Sequence, residues 1–184
     1  VRVRINSPGG SVFDGMAIYN LLLAHQGNVD CVVDGIAASA ASFVAMAGKS
    51  LTMQDTSMLM IHNAWTVAVG NRHDMAEVAG VMAKLDGQMA AIYSRKTGSS
   101  VEDVAALMDA ETWLTSSEAM AGKFCDSVLA PPDKDGDKAR ALAGAVVIRA
   151  AVADPVEAPA APVAEPDNDA RAQRMRRLRL AEHD

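Results

Sequence analysis

The chain changes character at Pro131-Pro132, and that break limits what it can fold into. Before it, apolar residues recur at strand and helix spacings. After it come Asp133-Lys-Asp-Gly-Asp-Lys138 and then residues 139–166, which hold eleven Ala and four Pro. A segment so poor in large side chains cannot offset the entropy of ordering its own backbone. The expected organisation is therefore one domain over residues 1–130, a flexible linker over 131–170 and a basic amphipathic tail over 171–184. About 130 residues is enough chain to bury a single core. The segment Arg171–Leu180 carries five Arg and no acid, interleaved with Met175, Leu178 and Leu180. It reads either as a short helix formed against an acidic partner or as a solvated tail.

Within the first 130 residues, short strands alternate with helices. Val1-Arg-Val-Arg-Ile5 alternates as a strand does; it carries no initiator Met, and the expectation is that N-terminal strands and a helix precede it. Asn6-Ser-Pro-Gly-Gly10 is a dense turn signal, and Ser11 suits the N-cap of a helix from about Val12 to Ala24. Val29–Val33 is a short strand, Gly35 is expected to end it, and Ile36–Ala47 is a run of small residues. Leu51–Met53 and Met58–Ile61 read as further strands. The clearest helix runs from Arg72 to Lys96, where Met75, Val78, Met82, Leu85, Met89 and Ile92 advance by three and four along one stripe. Gly98 suits its C-cap. A helix over Val101–Met108 and another capped by Thr115 or Ser116, with Glu118 in its first turn, complete the pattern. The fold class is α/β.

Composition removes several classes. Periodic Gly, sustained heptads and paired cysteines are absent, so collagen, coiled-coil and disulfide-stapled folds are excluded. Cys31 and Cys125 lack CxxC spacing and suit reduced thiols in a cytoplasmic compartment. No apolar run reaches the roughly 18 residues of a membrane span. A net charge of −6 speaks against nucleic acid as a general partner.

Four histidines occur. His25, His73 and His183 sit at helix ends or in the tail, where solvation explains them. His62 follows the apolar strand Met58–Ile61, the position of a base held rigidly at the mouth of a cleft. Gly35-Ile-Ala-Ala-Ser39-Ala-Ala-Ser42 suits a serine nucleophile at a helix start, with small neighbours that admit substrate. Taken alone, the run is better explained by the close packing of a small-residue helix, because Ala/Ser runs are common. Gly9-Gly10 offers unobstructed backbone N–H groups for an oxyanion or a phosphate, or forms only a turn; no Walker Lys follows it. Asp109 and Glu111 precede Trp113, either as site carboxylates or as solvated acids. No His, Cys and Asp cluster has metal-ligand spacing.

In order, Ile5-Asn-Ser-Pro-Gly-Gly10, Gly15-Met-Ala-Ile-Tyr19, Gly35-Ile-Ala-Ala-Ser39, Met60-Ile-His62 and Glu111-Thr-Trp-Leu-Thr-Ser-Ser-Glu-Ala119 resemble the proteolytic subunit of the Clp protease, ClpP. The likeness covers residues 1–129. Four details, His62-Asn-Ala-Trp65, Gly70-Asn71, Lys96-Thr-Gly98 and Met108-Asp-Ala-Glu-Thr-Trp-Leu114, are similar to the ClpP-related head maturation proteases of tailed bacteriophages.

That resemblance implies a ClpP/crotonase-like fold of repeated β-β-α units with a disordered Ala/Pro-rich C-terminal tail. It implies Ser39 as nucleophile, His62 as general base and Glu111 as the orienting carboxylate, with Asp109 as the alternative. Glu111 stands where the housekeeping enzymes have Asp, so its arm is one methylene longer. The N–H groups of Gly10 and Ala40 would form the oxyanion hole. No cofactor or metal is implied, and no nucleic acid or membrane partner. The implied assembly is a homo-oligomeric ring or stacked rings, with the Arg72–Lys96 helix at the junction. The implied activity is ATP-independent serine endopeptidase cleavage of capsid or scaffold protein, in the host cytoplasm or the prohead. Two other readings stand beside it: a housekeeping subunit fed by a Clp ATPase, and a capsid-assembly scaffold on a degenerate protease fold.

Overall fold

The computed structural model describes residues 1–130 and 145–148. Its elements run β1 (Arg2–Ser7), α1 (Val12–Leu23), β2 (Asp30–Ala38), α2 (Ala40–Ala45), β3 (Ser50–Gln54), β4 (Met58–Ile61), α3 (Arg72–Thr97), α4 (Val101–Asp109), β5 (Thr112–Thr115), α5 (Ser116–Ala121), β6 (Ser127–Leu129) and β7 (Ala145–Ile148). This is the expected α/β class; among the described residues the β-β-α order occurs once, as β3-β4-α3.

One sheet joins all seven strands in the order β5-β4-β2-β1-β7, with β3 between β2 and β6. Every pairing is parallel except that of β5 with β4. The inward positions of the strands follow the two-residue period: Val3 and Ile5, Cys31 and Val33, Leu51 and Met53, and Leu59 with Ile61 are all buried. Phe43, Tyr93, Val104 and Met108 close over them from the helices.

Gly35 does not end β2, contrary to expectation. The strand continues to Ala38, and its register against β1 jumps between the pairs Ile5–Val33 and Ser7–Ala37. At this bulge β2 changes neighbour: Asp30–Val33 pairs with β3, and Ile36–Ala38 pairs with β4. An extra stretch of backbone on one strand bends it and re-aims the residues beyond the bend. Across the bulge the Arg4 guanidinium forms an ion pair with Asp34. Hydrogen bonding to that carboxylate raises the Arg4 pKa.

α2 is shorter than the small-residue run suggests, and all six of its residues are buried. It lies close against α1, where a Cβ on Gly15 would come within 2.7 Å of the Phe43 ring. The long helix α3 matches its predicted span to within a residue. Asn71 and Asp74 form a capping box at its start, and Gly98 closes it in the left-handed conformation at φ 76°. Thr115 and Glu118 cap α5 in the same reciprocal way.

Three strands, β5, β6 and β7, have no counterpart in the sequence pattern. Each is three or four residues long, too short to show a period. β7 falls within the stretch 131–170 expected as a linker and pairs with β1 through the apolar run Ala-Val-Val-Ile. The rest of that stretch and the basic tail over 171–184 lie outside the described residues. Among the described residues, no helix is long and apolar enough to cross a membrane.

The topology brings four chain segments to one edge of the sheet. The carboxyl ends of the parallel strands β1, β2 and β4 lie side by side, and β5, running the other way, starts there.

Candidate active site

Ser39 is the first residue beyond β2, and His62 the first beyond β4. The register of these neighbours pairs Ala38 with Met60, so residues 23 apart in sequence meet. Ser39 Oγ lies 2.8 Å from His62 Nε2. With the hydroxyl donating, a neutral ring carries its proton on Nδ1. Both side chains are half-buried, open enough to be reached and enclosed enough to be held.

Ser39 adopts φ 52° and ψ −127°, a conformation that costs a non-glycine residue roughly 1–3 kcal/mol and persists only where its surroundings hold it. Here they do. Its N–H donates to Met60 O at 3.0 Å, and its carbonyl accepts from the Ser42 N–H at 2.9 Å. The same carbonyl accepts from Ser42 Oγ at 2.6 Å. The result is a sharp strand-to-helix turn that presents the hydroxyl at its apex.

Gly9 and Gly10 leave β1 on the other side of Ser39. The Ser7 hydroxyl, itself buried, accepts from the Gly9 N–H at 3.2 Å and shapes the turn. Gly9 has φ 102°, and a Cβ there would sit 2.7 Å from both Ser39 Cβ and Ala38 O. Only glycine allows the two backbones to approach so closely. Gly10, at φ 150°, faces open space. Among the described residues, neither the Gly10 nor the Ala40 N–H donates a backbone hydrogen bond outside regular structure.

The two candidate carboxylates behave differently. β4 and β5 pair Ile61 with Thr112, the last pair of the ladder, so His62 and Glu111 are the residues that flank this pair at the same end of the two strands. The Glu111 backbone has φ 47°, and Glu111 Oε1 accepts from Trp113 Nε1 at 3.3 Å. Asp109 is engaged elsewhere, accepting from Asn63 Nδ2 at 2.7 Å. Neither carboxylate is hydrogen-bonded to the His62 ring in this structure.

The remaining histidines lie away from this edge. His25 Nδ1 accepts from the Gly27 N–H, His73 is an exposed residue in the first turn of α3, and His183 is outside the described residues. Among the described residues, no group of three His, Cys, Asp or Glu side chains could hold a metal ion. Burial pushes the Cys31 thiol up to about 11, which leaves it protonated and unreactive.

One pair of residues carries no functional signal in the sequence. Tyr93, on the buried half of α3, places its hydroxyl 2.6 Å from Ser42 Oγ in the core. In the sequence Ser42 is only the end of a small-residue run, and Tyr93 only one more position on a long helix. The spacing of three places from Ser39 is the available clue, since i and i+3 share a helix face.

A family profile for Clp protease matches residues 1–132. The chain is 33% identical over 131 residues to an "ATP-dependent Clp protease proteolytic subunit" of Pleurastrum terricola, covering 70% of this chain and 66% of that protein. A protein of the same description from Bacteroides fragilis (strain ATCC 25285) is also 33% identical over 131 residues, with 70% and 63% covered. An "ATP-dependent Clp protease proteolytic subunit 2" of Nocardia farcinica is 33% identical over 132 residues, with 70% and 64% covered. The chain thus spans just under two thirds of the length of these relatives. A profile match over most of the chain, on a fold whose sheet edge pairs a strained serine with a histidine, shows that the chain belongs to the Clp protease family.

Proposed function

We propose that this chain is a serine endopeptidase in which Ser39 is the nucleophile and His62 its general base. The observation that carries the reading is the 2.8 Å contact between Ser39 Oγ and His62 Nε2, made by a serine held in a conformation that only its surroundings sustain. His62 takes the Ser39 proton as Oγ attacks a peptide carbonyl, then delivers it to the leaving amine. Water enters and repeats the sequence on the acyl-enzyme. The N–H groups of Gly10 and Ala40 receive the oxyanion, each worth roughly 3–4 kcal/mol by the measured loss of one such donor.

Glu111 is the preferred third member. Glu111 directly precedes Thr112, the ladder partner of Ile61, which supports it, whereas Asp109 is committed to Asn63. Trp113 engages Oε1, and Oε2 is the oxygen assigned to the ring Nδ1–H, where it would fix the tautomer and stabilise the imidazolium.

A fluorophosphonate probe tests the mechanism directly. Intact mass should rise by one adduct on the wild-type chain and by none on Ser39→Ala. Peptidase turnover of that variant should fall by roughly 10⁶-fold. A folded wild-type chain that takes no adduct would overturn the reading and favour an assembly scaffold on the same fold.

For the substrate, the motifs His62-Asn-Ala-Trp65 and Met108-Asp-Ala-Glu-Thr-Trp-Leu114 favour ATP-independent processing of capsid or scaffold protein during phage head maturation, by a homo-oligomeric ring in the host cytoplasm or prohead. The printed names of the relatives favour the second reading, a proteolytic subunit served by a Clp ATPase. Incubation with capsid protein alone, and with a model protein plus a Clp ATPase and ATP, separates the two. Discrete capsid fragments without nucleotide support the first; ATP-dependent degradation of the model protein supports the second.

A further inference from the structure

The proposed site leaves one polar chain unexplained. Ser42 and Tyr93 are fully buried, yet their hydroxyls are joined to each other and to the backbone of Ser39. The direction of every bond in that chain follows from its acceptor. A carbonyl only accepts, so the Ser42 hydroxyl proton is committed to Ser39 O, 2.6 Å away. The 2.6 Å contact between Ser42 Oγ and Tyr93 Oη therefore takes its proton from the tyrosine. The Ser42 N–H adds a second bond to the same carbonyl at 2.9 Å. Burial holds the Tyr93 hydroxyl well above its ordinary pKa, so it stays protonated and able to donate.

The accepting carbonyl and the Ala40 N–H are two ends of a single peptide plane. Whatever fixes Ser39 C=O fixes the direction of the Ala40 N–H, because the peptide is planar and stiff. Hydrogen bonds in series also polarise one another, more strongly in a low-dielectric interior. We propose that Tyr93 and Ser42 are positioning residues for the oxyanion hole: the chain Tyr93 Oη–H to Ser42 Oγ–H to Ser39 C=O locks and polarises the Ser39–Ala40 peptide, so that its N–H is aimed before substrate arrives. This rests on the serine peptidase reading above and deepens it. A donor that needs no reorientation during the reaction is the form in which such stabilisation is strongest. The same chain restrains Ser39 in its strained conformation, linking α3, α2 and the nucleophile turn through the core.

The test uses the full 184-residue chain and the variants Tyr93→Phe, Ser42→Ala and Ser42→Ala/Tyr93→Phe. Three quantities are read: the Ala40 amide resonance in a ¹⁵N–¹H spectrum, kcat and KM on a peptide substrate, and the denaturation midpoint. Ser42→Ala should lower kcat about tenfold with KM unchanged, less than the roughly 10²–10³-fold loss of an entire donor. Tyr93→Phe should lower it severalfold, and both should shift the Ala40 amide.

The double variant separates positioning from plain stability. Ser42→Ala leaves the Tyr93 hydroxyl buried without a partner, and Tyr93→Phe then removes that orphan. The double variant should regain denaturation midpoint relative to Ser42→Ala while its kcat stays low. Turnover that recovers along with stability would overturn the proposal, as would an Ala40 amide unmoved by Tyr93→Phe. If the wild-type chain shows no turnover while the Ala40 amide shifts in the variants, the restraint on the peptide stands and the peptidase reading alone falls.

Discussion

The two halves of α3 carry one apolar stripe and meet opposite fates. Met89, Ile92 and Tyr93 in the second half are buried in the core, where the helix meets α4 and α2, and Tyr93 reaches the Ser39 turn through Ser42. In the first half Met75 and Val81 are exposed, Val78, Met82 and Leu85 are only partly covered, and none is buried. The preceding segment adds Trp65, Val67 and Val69, all open to solvent. Periodicity therefore identifies a helix and its apolar face but says nothing of what covers that face. The first half stays helical because it is capped at Asn71 and continuous with an anchored half, so it needs no nucleus of its own.

Side-chain truncation is the sharpest way to break this comparison. Tyr93→Ala should destabilise the chain by roughly 3–5 kcal/mol, the usual loss for a buried aromatic residue. Val81→Ser, in the exposed half, should stay within about 0.5 kcal/mol. Denaturant titration of both variants measures the contrast, and equal losses would show that the first half is also core. Next comes the cap. Asn71→Ala should cost about 1 kcal/mol, felt as faster amide exchange over the first turns of α3 with the turns around Tyr93 unchanged. Exchange rising uniformly along the helix would mean that the two halves open together.

The smallest effect concerns the other capping box, which serves as a control on how much a cap contributes at an exposed site. The Thr115 N–H and hydroxyl hold the Glu118 carboxyl below its ordinary value of 4.5. A depressed carboxyl stabilises the fold above its unfolded pKa, and that contribution disappears as pH falls through the folded pKa. Glu118→Gln should therefore lower the thermal midpoint slightly at pH 7, and the difference from wild type should shrink as pH falls below about 4. A difference independent of pH would remove the carboxylate from the cap.

Short-range signals are legible in the chain. Ser11, Thr115 with Glu118, and Gly98 act within one helical turn, so their residue types suffice to mark where helices begin and end; the Asn71–Asp74 box works over the same range but emerged only in the structure. Strand β4 is visible for the same reason, as a bounded apolar run. β2 reads too short because Gly35 looks like a terminator in one dimension, whereas pairing with two different neighbours turns it into a bulge. β5 is invisible because four residues of edge strand depend on β4 to define them. Trp113, a motif residue in the sequence, is in the fold the donor that engages Glu111.

By itself, then, the sequence determined the longer helices, several of their caps and the candidate serine, histidine and carboxylates, because propensity and capping are short-range. Only the tertiary structure decided that Ser39, His62, Gly9 and Glu111 share one sheet edge, since parallel pairing joins residues the chain keeps far apart. It alone decided that Tyr93 is joined through Ser42 to the Ser39 turn. The physical reason is common to both: a hydrogen bond across the core depends on which elements pack together, and no local pattern in the chain records its partner.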